Sequence, residues 1–358
     1  MTRLRIPLKP GRPHVGSLIS AGGIAAVLIA TLGACASPAP AVPSAGGTLR
    51  LGYFPNITHA TAIVGIESGI FAKALGSNVT LKTSTFNAGS SASEALLSGA
   101  IDATFIGPSP AINAWSKSSG AVRIIAGATS GGALLVVKAG IASPADLKGK
   151  KLATPQLGNT QDVALRTWLL SQGLKTDTQG GGDVSIVPQD NAQTLQAFET
   201  GAIDGAWLPE PWATRLILEG HGTVLVNEKD LWPQGKFATT VLLVRTDYLA
   251  AHPDIVKALL QGELQANDLV NSDPTQAQTL TNQGIATVTG TKLSDAVIQA
   301  AWKNLDFTVD PVASSLKTSA DDAVKIGLLK AVNLTGIADM TILNGLLTAA
   351  GRQPVSGL

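Results

Sequence analysis

The residues in this sequence that could do chemistry are mostly small or polar, and they lie in turns between predicted strands and helices. The candidates are Asn56, Thr58, His59, Gly89, Ser90, Ser91, Gly107, Ser109, Ser130, Gly131, Asn159, Thr160, Gln161, Glu210 and Trp212. A helix amino terminus presents unpaired backbone N–H groups and a partial positive charge. Glycine lets such a backbone approach a ligand closely. The pattern therefore predicts a site for an oxyanion.

Several of these residues also have simpler interpretations. Ser91, Ser109 and Thr160 are typical helix caps, although a residue that caps a helix can also bind an anion. Trp212 is suited to filling a core. Glu210 leaves two alternatives open: its carboxylate either meets an ammonium group on a zwitterionic ligand, or it stands at a helix start and points away from the site. We favour the second alternative for Glu210.

The sequence contains no motif that indicates catalysis. It has no Gly-x-Ser-x-Gly nucleophile turn, no His-Glu-x-x-His zinc motif and no Gly-x-x-x-x-Gly-Lys-Ser/Thr phosphate loop. The histidines after residue 34 are His59, His221 and His252, and their spacing suits no metal site. We therefore expect no enzyme activity, no metal and no cofactor.

The elements that must position the candidate residues alternate between strands and helices. Short apolar runs predict strands at residues 49–53, 79–81, 103–106, 122–126, 151–154, 184–187, 203–208 and 223–226. Helical patterns lie at residues 61–71, 91–97 and 111–116. From residue 248 the chain is almost wholly helical, and Asp273 and Pro274 predict a helix start. This alternation predicts an α/β fold with buried parallel strands.

An internal repeat indicates two similar lobes. Residues 95–106 resemble residues 197–208 at a constant offset, so that Gly99 matches Gly201 and Asp102 matches Asp204. In both copies a helix ends at glycine, aspartate lies in the turn, and an apolar strand follows. The offset, about 100 residues, is too long for a solenoid repeat.

A second similarity suggests how the chain passes between the lobes. The apolar runs 134–138 and 241–245 are alike and flank the second copy of the repeat. We expect them to be paired crossing strands that form a hinge, and two ordinary buried strands are the alternative. On this prediction, the first lobe holds residues 48–132 and 243–358, and the second lobe holds residues 133–242.

The amino terminus predicts export and a lipid anchor. Four basic residues and no acidic residue precede the mostly apolar run 17–34, and Cys35, the only cysteine in the chain, follows at once. This order is typical of an export signal, and the cysteine resembles the lipidation site of a bacterial lipoprotein. An uncleaved membrane helix is the alternative. We expect a signal peptide over residues 1–34, a flexible tether over residues 35–47, and a protein held at the outer face of the cytoplasmic membrane.

The charge excludes one class of partner. Residues 1–34 carry four of the 26 Lys and Arg residues and none of the 25 Asp and Glu residues, so the mature chain has a net charge of −3. This balance argues against nucleic acid as a partner. A single cysteine offers no disulfide within the chain, so the hydrophobic core must supply the stability. We expect a monomer.

Three segments together resemble a known family. They are residues 52–60, the turn at residues 99–102 with the following Gly107-Pro108-Ser109-Pro110, and Pro209-Glu210-Pro211-Trp212. Their order and spacing are similar to those of the nitrate/sulfonate/taurine-type substrate-binding proteins of ABC importers. The resemblance extends from about residue 49 to the carboxyl end.

The resemblance implies a type II periplasmic-binding-protein fold that holds its ligand in a cleft between two lobes. It also implies delivery of that ligand to a membrane permease driven by a separate cytoplasmic ATPase. The implied ligand is a small oxyanion, namely an aliphatic sulfonate, taurine or nitrate. Three alternatives stay open: a binding protein for a thiamine-pyrimidine precursor, an enzyme on this fold, and a lipoprotein adhesin or signalling module.

Overall fold

The structure, a computed structural model, describes residues 46–358. The predicted signal peptide, Cys35 and the tether as far as residue 45 lie outside the described residues. Gly47, the last residue of the predicted tether, already begins the first strand. Within residues 46–358 no helix is both long enough and apolar enough to cross a membrane.

The described chain forms two separate β-sheets. Their strands are β1 (Gly47–Tyr53), β2 (Val79–Thr85), β3 (Ala103–Ile106), β4 (Val122–Gly131), β5 (Ala133–Val137), β6 (Lys151–Thr154), β7 (Ser185–Pro188), β8 (Gly205–Pro209), β9 (Thr223–Asn227), β10 (Ala238–Arg245) and β11 (Leu305–Phe307). The first sheet has the order β11-β4-β10-β3-β1-β2, and the second has the order β7-β6-β8-β5-β9. Parallel pairing joins β2-β1-β3 and β7-β6-β8. The predicted α/β fold is confirmed.

Helices cover the sheets. The α-helices are α1 (Ala60–Glu67), α2 (Ile70–Leu75), α3 (Gly89–Leu97), α4 (Pro108–Lys117), α5 (Thr160–Ser171), α6 (Asn191–Glu199), α7 (Trp212–Leu218), α8 (Thr246–Ala251), α9 (Pro253–Ser272), α10 (Pro274–Thr289), α11 (Asp295–Trp302), α12 (Ala313–Lys325) and α13 (Thr341–Ala349). Short 3-10 turns lie at Ile57–His59, Pro144–Leu147, Glu228–Leu231 and Pro233–Gly235. The first two α-helices pack against α9 and α10.

The central strands are buried on both faces because apolar side chains project from each. β3, β5 and β8 are buried over their whole lengths. In the second sheet, Leu135 and Trp207 pack in a cluster on one face, whereas Leu134 and Val136 pack in a cluster on the other. Such strands read as continuous apolar runs rather than as alternating ones. This is why their positions could be predicted from the sequence.

The internal repeat forms two equivalent turns. Gly99 and Gly201 have φ angles of +75° and +77°, the left-handed conformation of a helix-terminating glycine. The carboxylate of Asp102 then accepts a hydrogen bond from a backbone N–H of β1, and that of Asp204 accepts one from a backbone N–H of β6. Each aspartate therefore ties its turn to the first parallel strand of its own sheet. The predicted similarity of the two α/β units is confirmed.

The prediction that residues 134–138 and 241–245 pair with each other is wrong. β5 pairs with β8 and β9 in the second sheet, whereas β10 pairs with β3 and β4 in the first. β5 lies antiparallel to β8 and β10 lies antiparallel to β3, and each partner is the last of the three parallel strands of its sheet. This shared environment explains why the two runs are alike. The chain leaves the first sheet after Gly131, the end of β4, and returns between Asn227 and Ala238.

We call residues 46–131 and 238–358 lobe 1 and residues 133–227 lobe 2, because each set surrounds one sheet. The division predicted from the sequence differs at the return crossing, since β10 belongs wholly to the first sheet. At the other crossing Gly131 and Gly132 have φ angles of +78° and +74°, which glycine adopts without strain. That the lobes move as separate domains stays a prediction.

The helix start predicted at Asp273 and Pro274, in the helical carboxyl-terminal part, is present in the structure. The Asp273 side chain accepts a hydrogen bond from Gln276 N at 3.0 Å, and Pro274 is the first residue of α10. β11, a strand of three residues that pairs with β4 at the edge of the first sheet, was not predicted from the sequence. A strand this short has no periodicity to recognise.

Replacing Glu263 with glutamine is expected to stabilise the fold. Glu263 lies in α9, is fully buried, and neither carboxylate oxygen has a hydrogen-bond partner within residues 46–358. Burial raises the pKa of Glu263 well above its usual range. The folded state therefore prefers the protonated acid, and stability falls as the pH rises above the pKa that Glu263 has in the unfolded chain. The substitution should raise the free energy of unfolding at about pH 8 by about 1–3 kcal/mol.

Denaturant unfolding at about pH 4 and pH 8 measures this effect, because the gain from Glu263→Gln should shrink at the lower pH. Glu199→Gln, at an exposed position in α6, is the control and should change stability by less than about 0.5 kcal/mol. A Glu263→Gln variant that is less stable than the wild type at pH 8 would show that the carboxylate has a stabilising partner.

Candidate functional site

A cavity lies in the cleft between the lobes, at the carboxyl ends of the parallel strands. It contains about 450 Å³ of atom-free space, part of which is open to solvent. We call it the cleft cavity, and its walls are Phe54, Asn56, Thr58, His59, Asn87, Ala88, Gly89, Gly107, Pro110 and Thr239 from lobe 1 with Pro155, Asn159, Thr160, Gln161, Asn191 and Pro209 from lobe 2. None of these walls carries Lys, Arg, Asp or Glu. A ligand here meets neutral dipoles from both lobes.

Helix amino termini supply the positive end of those dipoles. Three helices begin with a residue of the cavity wall: α3 at Gly89, α5 at Thr160 and α6 at Asn191. A fourth helix, α4, begins after Gly107, but prolines at its first and third positions remove two of its free N–H groups. The first three therefore provide most of the unpaired N–H groups, and they suit an anion.

His59 is held as a neutral hydrogen-bond donor. Its Nδ1 accepts a hydrogen bond from Phe54 N at 3.4 Å, and its ring stacks on the Phe54 ring with centroids 4.5 Å apart. The side chain is buried, and burial lowers the pKa of His59 to about 3. The neutral ring with Nδ1 as acceptor carries its hydrogen on Nε2. His59 can thus donate to an oxyanion without being charged.

The lobe 2 wall is held in place by a buried aspartate. Asn159 caps α5 by accepting a hydrogen bond from Asp162 N at 2.9 Å. The Asp162 carboxylate accepts hydrogen bonds from Thr154 Oγ1, Gly158 N and Arg166 Nε at 2.8 to 3.0 Å. This network fixes the turn that presents Thr160 and Gln161 to the cavity. Asn159 therefore both caps a helix and lines the site.

Direct contacts join the lobes around the cavity. Gln156 Nε2 donates to Ser90 Oγ at 2.6 Å, and Ser90 N donates to Gln156 Oε1 at 3.2 Å. Trp212 Nε1 donates to Asn56 Oδ1 at 3.0 Å. Ser90 and Asn56 belong to lobe 1, and their partners belong to lobe 2. These contacts hold the lobes together over the cleft.

Glu210 faces away from the cleft cavity. It is fully buried, and its carboxylate accepts hydrogen bonds from Thr214 N at 3.0 Å, Thr214 Oγ1 at 2.8 Å and Asn304 Nδ2 at 2.6 Å. Burial raises the pKa of Glu210. Of the two alternatives left by the sequence, this geometry favours the helix start. The carboxylate is buried against lobe 1 there, and not solvated.

Eight of the predicted site residues line the cleft cavity: Asn56, Thr58, His59, Gly89, Gly107, Asn159, Thr160 and Gln161. The other seven lie elsewhere: Ser90, Ser91, Ser109, Ser130, Gly131, Glu210 and Trp212. Among these, Ser91 is exposed and Ser109 is buried. Ser130 Oγ accepts a hydrogen bond from Phe237 N, and Gly131 O accepts one from Thr239 Oγ1. Ser130 and Gly131 thus stabilise the crossing between the lobes through hydrogen bonds.

Two residues of the cavity wall, Asn87 and Asn191, were not predicted from the sequence, although their positions after parallel strands resemble those of the predicted residues. Asn87 follows β2 and Asn191 follows β7, so both stand beyond the carboxyl end of a parallel strand. Ligands in open α/β sheets bind at this edge. Asn191 Oδ1 is buried with no hydrogen-bond partner among residues 46–358. Thr239 had no such signal, because it enters the site only through the return of β10 to the first sheet.

Two α/β lobes of like topology with a polar cavity between them define the class of periplasmic-type binding proteins. Within that class the chain belongs to the NMT1-like family, which matches residues 46–283. The taurine-binding periplasmic protein of Escherichia coli (strain K12) is 32% identical over 209 residues, which cover 57% of this chain and 61% of that protein.

Solved structures have the same fold. The alkanesulfonate-binding protein SsuA from Xanthomonas axonopodis pv. citri, bound to MOPS, gives a TM-score of 0.69 at 22% identity and covers 82% of this chain and 98% of its own. The periplasmic nitrate-binding protein NrtA from Synechocystis PCC 6803 gives a TM-score of 0.72 at 16% identity and covers 85% of this chain and 89% of its own. The periplasmic-binding-protein fold expected from the sequence is confirmed.

Proposed function

We propose that this protein is the extracytoplasmic substrate-binding component of an ABC importer and that it captures a small oxyanion. The observation that carries the proposal is the cleft cavity, which has no charged side chain in its wall and is met by the amino termini of α3, α5 and α6. Such termini bind sulfonate, nitrate and similar groups through backbone N–H groups. Relatives named for taurine, alkanesulfonate and nitrate support this ligand class.

The proposed partners are a membrane permease and its cytoplasmic ATPase, to which a monomeric protein hands its ligand. The proposed binding step is a closure of lobe 1 on lobe 2 about the two crossings. The hydrogen bonds between Gln156 and Ser90 and between Trp212 and Asn56 support a closed arrangement of the lobes. We propose no catalytic role, since the family relatives are binding proteins of transporters.

A titration with small anions tests this function. Methanesulfonate, ethanesulfonate, taurine, nitrate and bicarbonate are each titrated calorimetrically into protein that has been unfolded and refolded to remove bound ligand, with chloride as the control. At least one oxyanion should bind saturably at one site, and chloride should not. Saturable binding of none of these oxyanions would contradict the proposal. Tighter binding of an aminopyrimidine than of every oxyanion would favour the thiamine-precursor alternative.

The affinity for the oxyanion is expected to be independent of pH between about pH 5 and pH 8. His59 has a pKa of about 3 and therefore stays neutral over this range. His59→Phe, which keeps the ring but removes the Nε2 donor, should weaken binding by on the order of 10-fold, as for a lost hydrogen bond to a charged group. Calorimetric titration at several pH values checks both. An affinity that rises steadily as the pH falls from 7 to 5 would show that His59 binds as a cation.

We also propose that Cys35 carries a lipid anchor, as its position after the apolar run predicts. Replacement of Cys35 by serine should abolish fatty-acid labelling of the protein, because the thiol that would carry the acyl chains is removed. Labelling with a fatty-acid probe in a bacterial host measures this. Equal labelling of the wild type and the Cys35→Ser variant would contradict lipidation at this residue.

A further inference from the structure

A second cavity lies between the lobes at a place that shares no wall residue with the cleft cavity. About 650 Å³ of atom-free space, part of it open to solvent, lies between α5 of lobe 2, α12 of lobe 1 and the 3-10 turn Glu228–Leu231. We call it the side cavity. Its wall includes Trp168, Trp232, Glu228 and Asp322, and it contains no Lys, Arg or His.

Glu228 gives the side cavity a buried carboxylate. The side chain is 1% exposed, and its partners are the indole N–H groups of Trp207 at 2.7 Å and of Trp232 at 3.4 Å. Both donors are neutral, so the carboxylate has no cationic partner among residues 46–358. Burial raises the pKa of Glu228 to about 7. A buried carboxylate is costly unless a cation neutralises it or it takes up a proton.

The rest of the wall has the features that favour an organic cation. Trp168 and Trp232 supply indole rings, and such rings attract cations through their faces. Asp322 adds a second carboxylate from α12, and burial raises its pKa as well. The hydroxyl oxygen of Thr167 is buried in the wall without a hydrogen-bond partner within the described part of the chain. Two carboxylate residues and two indole residues thus line one space.

We propose that the side cavity is a binding site for a small organic ammonium ion, held by the Glu228 carboxylate and the indoles of Trp168 and Trp232. The chemistry is complementary to that of the cleft cavity, whose wall suits an anion. The proposal goes beyond the proposed transport function and does not depend on it, because the two cavities share no wall residue.

Tetramethylammonium chloride is the probe, and sodium chloride at equal concentration is the control for ionic strength. Thermal unfolding and calorimetric titration of the wild type at about pH 8 should show saturable stabilisation by tetramethylammonium and none by sodium. Glu228→Gln should weaken this binding at least 10-fold. Asp295→Asn, at an exposed position in α11, is the matched control and should bind the probe like the wild type.

Asp322→Asn provides a second variant if Glu228→Gln fails to fold, and it should also weaken binding of tetramethylammonium. Equal stabilisation by the two salts would overturn the proposal. Undiminished binding of the probe to the Glu228 variant, or to the Asp322 variant in its place, would overturn it as well. Binding of oxyanions in the cleft cavity is measured separately and should be unaffected by Asp322→Asn. A failure of the transport proposal can therefore be distinguished from a failure of the ammonium site.

Discussion

Replacing Gly107 with valine is expected to weaken oxyanion binding on the order of 100-fold, equivalent to about 2.7 kcal/mol. A Cβ atom at residue 107 would lie 2.7 Å from Thr160 Oγ1 on the opposite lobe, which is closer than van der Waals contact allows. The φ angle of Gly107 is −68°, which any residue adopts, so backbone strain is not the cause. The bulk of the side chain instead keeps the lobes apart at the cleft cavity.

Calorimetric titration of the wild type, Gly107→Ala and Gly107→Val measures this effect, and thermal unfolding shows whether the fold is intact. The loss should grow from alanine to valine, because the larger side chain moves Thr160 further. Gly345→Ala is the control: a Cβ atom there meets nothing within 4 Å, so affinity should not change. Wild-type affinity in the valine variant would contradict closure at this contact. A large fall in the melting temperature of the valine variant would contradict the proposal that the lobes can open without unfolding.

The sequence predicted the strands well where burial makes them continuous apolar runs. β3 and β6 begin and end at the predicted residues, 103–106 and 151–154. Short apolar runs bounded by turn residues are a local signal, and the helix-terminating Gly99 and Gly201 are also local. These features need no knowledge of distant parts of the chain.

The partners of a strand could not be predicted in the same way. β10 returns to the first sheet and lies between β3 and β4, which precede it by more than 100 residues. Its apolar pattern indicates a buried strand but says nothing about which sheet buries it. The predicted pairing of residues 134–138 with residues 241–245 was wrong because similarity between two runs was taken for contact, whereas it reflects equivalent positions in two sheets.

The candidate site shows the same division between local and distant information. Gly89, Gly107 and Thr160 were found because they stand where helices begin after parallel strands, and this is visible in the sequence. Ser130 was misplaced because its partner, Phe237 N, lies in the return crossing. The Pro-Glu-Pro-Trp segment indicates a helix start, but only the fold shows that Asn304 covers the Glu210 carboxylate.

Replacing Glu210 with alanine is expected to lower the free energy of unfolding by about 3 kcal/mol, since buried donors lose their acceptor. The variant leaves Thr214 N, Thr214 Oγ1 and Asn304 Nδ2 without the carboxylate that joins α7 of lobe 2 to lobe 1. Glu219→Ala is the matched control, because Glu219 is exposed just after the same helix and, among residues 46–358, forms an ion pair only with Arg215. The control should lose less than about 1 kcal/mol. Denaturant unfolding measures both variants.

The same variant tests whether Glu210 touches the ligand. Its carboxylate faces Asn304 and does not line the cleft cavity, so Glu210→Ala should change the affinities for taurine and for ethanesulfonate by the same factor. If the carboxylate met an ammonium group, its removal would weaken the binding of taurine but not of ethanesulfonate, by on the order of 1.5–3 kcal/mol. Calorimetric titration of both ligands into the wild type and the variant decides between these outcomes. A selective loss of taurine binding would mean that Glu210 turns toward the cleft when the ligand arrives.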